Sequence, residues 1–133
     1  MATFGYDTFE NDEAIAWMDE LVDSDDIELL RGTLHDAAEH PGDAVARQQA
    51  ERALAAAETV AVWHGHAGDG TPLEILDWVA HQGTPLPAEI LQLARSAVER
   101  IRVSSELAHE WKRQGDLEEW MPTVSDLSER LHR

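Results

Sequence analysis

Apolar residues recur along this chain at intervals of three and four, the repeat of a helix face. No stretch alternates with the period of two that marks a strand. Residues 1–10 form an irregular segment in which Phe4, Tyr6 and Phe9 are available to pack against a body. Asn11 then reads as an N-cap, with Asp12 and Glu13 in the first turn against the positive end of the helix dipole. At about 100° per residue, Ala14, Ile15, Trp17, Met18, Leu21 and Val22 fall on one face. Asp12, Glu13, Asp19, Glu20 and Asp23 fall on the opposite face. A second helix follows Ser24 or Asp25, with Ile27, Leu30, Leu34 and Ala38 at helical spacing, and stops at His40-Pro41-Gly42. The third runs from about Asp43 to His64, with Gly65 just past its end. Its second half, ALAAAETVAVW (53–63), is apolar nearly all round, the pattern of a helix central in its bundle.

Beyond the loop GHAGDGTP, Thr71, Pro72 and Glu74 read as the N-cap, first residue and third residue of a capping box. That fourth helix ends at Gly83. Pro87 opens a long fifth helix striped by Ile90, Ala94, Ala97, Val98, Ile101 and Ala108, which Gly115 ends. Asp116 with Glu119 suggests another cap, Pro122 interrupts, and Val124, Leu127 and Leu131 stripe the last helix. GTPLEIL (70–76) echoes GTPLPAEIL (83–91), as two helix starts sharing one capping chemistry would. No repeat period of a solenoid is present. The expectation is an all-α fold: one domain over residues 1–133, a bundle of five to six helices with an irregular aromatic N-terminal segment.

Charge adds a direction. The formal net charge is −17, of which residues 1–43 carry −12 and residues 44–133 carry −5. Such a chain does not bind nucleic acid or an anionic membrane through a basic patch; it suits a protein partner with a basic surface, or salt adaptation. No apolar run is long enough for a membrane span, and no secretory signal is visible, so a cytoplasmic protein is expected. There is no cysteine, hence no thiolate nucleophile and no Cys-type zinc site.

Three blocks, FGYDTFENDEAIAWMDEL (4–21), ALAAAETVAV (53–62) and SELAHEW (105–111) with WMPTVSDLSERL (120–131), carry a likeness over nearly the whole chain. In their order and spacing the sequence resembles the bacterial family catalogued as domain of unknown function 4259. Where that family has Trp before the first glycine, this chain has Phe4, which keeps an apolar aromatic. The resemblance implies no activity; it supports one domain and marks Phe9, Asn11, Asp12, Trp17, Glu58, Glu106 and Trp111 as motif positions.

Candidate chemistry is sparse, and no cofactor motif is legible. Asp12, Asp19 and Asp23 share a face but spread over about 16 Å, too far to hold one ion. The acidic stretch is therefore a solvated face or a docking surface. Glu58 is the one acid in the apolar run 53–63, so it needs a partner, which an Arg, an indole N–H or backbone amides could supply. A catalytic acid or base with a raised pKa is the sharper alternative. His64-Gly65-His66 lacks the HExxH spacing of a zinc helix. The tryptophans at 17, 63, 78, 111 and 120 fit apolar stripes or helix ends, with Trp120 an alternative surface anchor.

The functional expectation is a non-enzymatic, immunity- or inhibitor-like module that docks a basic protein through Asp12, Glu13, Asp19, Glu20 and Asp23. The alternatives are a metal-dependent hydrolase using Glu58, acids of residues 10–13 and a His, and a non-catalytic structural oligomer.

Overall fold

The computed structural model describes residues 6–42 and 44–133. Among these are seven helices: α1 (Asp12–Ser24), α2 (Ile27–Ala38), α3 (Arg47–Trp63), α4 (Leu73–Ala80), α5 (Ala88–Val103), α6 (Glu106–Gln114) and α7 (Leu117–Leu131). No strand occurs among the described residues; one isolated parallel bridge joins Val45 to Ser105. The class is all-α as expected, but with seven helices rather than five to six. Phe4 and Asp43 lie outside the described residues.

The extra helix arises because the expected fifth helix is two. Ser105, 1% exposed, donates its hydroxyl proton to the Ile101 carbonyl at 2.8 Å. Its oxygen accepts from the Ala108 amide at 3.0 Å. One hydroxyl thus ends α5 and caps α6. The break is pinned from far along the chain: the Val45 amide donates to the Ser104 carbonyl at 3.1 Å, and the Glu106 amide to the Val45 carbonyl at 2.8 Å. Val45 is therefore in extended pairing, so α3 starts at Arg47, later than the expected Asp43.

α3 packs against all six other helices, the central place expected of it. Ala50, Ala53, Ala55, Ala56, Ala57 and Ala61 are completely buried, and small side chains let neighbouring axes approach to about 8 Å. Around it, Trp17, Leu21, Leu30, Leu34, Ile75, Ile90, Ile101, Leu127 and Leu131 are fully buried in one cluster. Each large aliphatic there contributes about 1.5–3 kcal/mol of transfer free energy. Gly65 closes α3 as expected. With φ 87°, its amide meets the Val62 carbonyl at 3.0 Å while the His66 amide meets Ala61 at 2.8 Å, a Schellman pair.

Three local expectations are corrected. Thr71 does not cap α4: its hydroxyl donates to the Gly68 carbonyl at 2.9 Å, and Pro72 occupies the cap with no side-chain bond. Pro87 does the same for α5, so the two echoing segments share a proline start. Pro122 lies inside α7 without interrupting it, which leaves that helix one backbone donor short. Finally, Ile15 is 36% and Val22 44% exposed. The buried stripe of α1 is only Ala14, Trp17, Met18 and Leu21, and the other two sit about a quarter turn off it.

Candidate functional site

Glu58 on α3 and Arg130 on α7 face each other, each with its side chain 7% exposed. The guanidinium is held in a fork: Nη2 donates to Glu58 Oε1 at 2.7 Å and Nη1 to Oε2 at 3.0 Å. Nη1 also donates to the His66 carbonyl at 3.2 Å, and Nε to Asp126 Oδ2 at 2.8 Å. Burial works against the Arg130 charge, but the hydrogen bonds and charge of Glu58, then those of Asp126, outweigh it and hold its pKa above the ordinary value. The loop after α3 closes over this pair. A Cβ on Gly68 would stand 3.0 Å from Nη2, so a side chain at residue 68 would press on the guanidinium. A pocket of about 410 Å³ opens there, with Asp7, Phe9, Asp69, Pro122 and Asp126 on its walls.

This geometry answers the question of Glu58. Both its oxygens are taken by an arginine, which is the structural pairing expected. Among the described residues no three His, Cys, Asp or Glu side chains converge as ligands of a metal would. The acids of residues 10–13 are not drawn to Glu58. Glu10 accepts from the Asp7 amide at 3.3 Å, and Asp12 is exposed on α1. Arg130, Asp126 and Gly68 were not singled out from the sequence. The usable signal was Arg130 itself, three residues after the core Leu127 and one before Leu131, where an apolar residue would be expected.

The acidic stretch folds as one outward surface. Asp12, Asp19 and Asp23 are exposed and Glu13 is partly so. Glu20 differs: it accepts from Arg52 on α3 at 2.8 Å. Among the described residues Asp12, Glu13, Asp19 and Asp23 make no ion pair. Exposed Ile15 and Val22 lie on the same helix. α4 packs beside α1 and exposes Leu73 (67%) and Leu76 (37%).

The remaining motif positions hold the fold. Asn11 caps α1, accepting from the Ala14 amide at 2.8 Å while its amide donates to the Thr8 carbonyl at 3.1 Å. Trp17 is buried and donates to Thr33 Oγ1 at 2.9 Å. Glu106 accepts from the Arg47 amide at 3.1 Å, capping α3 from the start of α6. Trp111 carries the Tyr6 ring at 5.1 Å, and Phe9 packs on the core. The model of the family described as domain of unknown function (DUF4259) matches residues 2–123. The chain belongs to the DUF4259 family. No curated protein and no solved structure matches it. The other candidates of this DUF4259 chain are equally engaged. His64 Nε2–H donates to the Arg133 carbonyl at 2.9 Å, with the His66 ring edge-on at 5.3 Å. Trp120 is 3% exposed and belongs to the core rather than to a surface anchor.

Proposed function

We propose that this DUF4259 protein is a binding module that acts by docking rather than by chemistry, and that the outer face of α1 receives a positively charged protein. An immunity- or inhibitor-like role is its concrete form. One observation carries the reading. Asp12, Asp19 and Asp23 stand in solvent with no ion pair among the described residues, beside exposed Ile15 and Val22. An apolar patch with a charged rim is the anatomy of a protein interface. A one-signed field speeds encounter with the opposite sign and rejects its own. The seven motif positions support it indirectly, because all but Asp12 are occupied in caps, core packing or the buried ion pair.

The test is affinity capture from the native cell at low salt, comparing wild type with a variant carrying Asp12→Asn, Glu13→Gln, Asp19→Asn and Asp23→Asn together. A basic protein should be retained by wild type, released by salt, and absent from the variant's eluate. The same proteins on both baits would overturn the reading.

A further inference from the structure

We infer that the partner presents a cationic amphipathic helix, and that α1 and α4 together form its seat. The inference rests on the docking reading above and names the shape of what docks. Asp7–Phe9 before α1 and Gly68–Thr71 before α4 line one pocket. After the two helices, Gln82 donates to Asp25 at 3.5 Å. The segments before the two helices meet, as do those after them, so α1 and α4 run side by side in the same direction, both backed by α3. Their outward faces lie side by side over the eight residues of α4, roughly 12 Å, and α1 continues the surface to roughly 19 Å.

That surface has the chemistry of half an interface. Neither α1 nor α4 contains a Lys or Arg. Ile15 and Val22 are exposed seven residues apart, and Leu73 and Leu76 three apart, the spacings at which one helix contacts another. Exposed Glu74 and Asp77 extend the acidic rim of α1 onto α4. A third helix lying along two parallel helices buries its apolar stripe on them and turns its Lys and Arg toward the carboxylates. A second copy of this chain would bring acid against acid. The seat thus extends past residue 43, beyond the acidic stretch visible in the sequence.

The experiment titrates the full-length protein with two synthetic peptides of identical Leu and Lys composition, about fourteen residues each and so about 21 Å long as helices. One places its leucines on a single helix face; the other is scrambled. The expected result is tighter binding of the two-faced peptide by about ten-fold or more, with a gain of peptide helicity by circular dichroism. Ile15→Ser/Val22→Ser and Leu73→Ser/Leu76→Ser should each weaken it by about ten-fold, with the protein's own fold intact. Equal binding of the two peptides, with the serine variants silent and the α1 amide variant weakened, would overturn the helix inference and leave the basic-partner reading standing. No binding of either peptide at low salt would overturn both. Self-association abolished by Leu73→Ser/Leu76→Ser would overturn the inference in favour of a second copy.

Discussion

Arg130 is a cation enclosed by two oxygens of Glu58, one of Asp126 and the His66 carbonyl. Such a pair adds little net stability over a well-packed apolar pair, because desolvation cancels much of its attraction; breaking it is what costs. Glu58→Ala should therefore lose up to about 3–5 kcal/mol in urea denaturation, since it leaves the buried guanidinium only Asp126 and the His66 carbonyl. Replacing both partners with Met should recover most of that loss. A single variant as stable as wild type would show that the guanidinium escapes to water and the pair does not hold α7. Tyr6, the one tyrosine of the chain, gives a second test. Its packing beside Trp111 raises the phenol pKa, and the carboxylates of Asp116 and Glu119 raise it further. The folded state thus favours the neutral phenol. Its contribution is fully present below the ordinary phenol pKa and fades as pH rises through the folded one. Ultraviolet titration should find tyrosinate forming at higher pH in the folded than in the denatured protein, with Asp116→Asn narrowing the gap. Coincident curves would contradict the contact.

At the scale of elements, the junction between α5 and α6 depends on one hydroxyl. Ser105→Ala removes both its bonds and should cost about 1 kcal/mol, within the 0.5–2 range of helix caps. Amide exchange at Ala108 should quicken, because that proton loses its acceptor. Unchanged exchange there would mean the Val45 pairing alone sets the break. This junction also shows where periodicity stops being informative. Ala108 follows Ile101 by seven residues, so the apolar stripe runs on in phase across Ser104 and Ser105. Besides the Ser105 hydroxyl, a backbone pairing with residue 45 holds the break, and no local window contains that pairing. The start of α3 was illegible for the same reason, its cap being Glu106, 59 positions away. Features set within one turn were readable: the Asn11 cap, the Gly65 closure and the alanine-rich centre. Of the candidate surface, the acids of α1 were legible. The share of α4 was not, since adjacency of two helices is a tertiary fact. Ile15 and Val22 were misread because α1 needs only a narrow stripe to cover α3.

At the scale of the molecule, a net charge of −17 is a standing self-repulsion. Four acids of α1 without an ion pair among the described residues add to it, and only Asp12 and Glu13 lie in the first turn, where the helix dipole favours them. If they are kept for docking, their removal should not harm the fold. The variant Asp12→Asn, Glu13→Gln, Asp19→Asn, Asp23→Asn should melt at or above the wild-type temperature at low ionic strength. Two terms oppose each other in it. Relief of repulsion favours the variant, while loss of Asp12 and Glu13 from the first turn costs about 0.3–1 kcal/mol each at most against the helix dipole. Salt separates them, but not completely. At about 1 M the screening length falls to roughly 3 Å, so long-range repulsion disappears and the dipole term is weakened but acts at closer range. The variant's advantage should therefore shrink with salt and end near zero or slightly negative. Glu20→Gln is the internal contrast. It gives up the Arg52 pair and should lose 0 to about 1 kcal/mol at low salt, with the loss fading as salt rises. Thermal melts of the three proteins across a salt series read all of this directly. A quadruple variant that melts lower than wild type at low salt, and recovers in high salt, would mean that the acids stabilise α1 electrostatically. The acidic face would then be explained by folding, and the case for a docking surface would lose its main support.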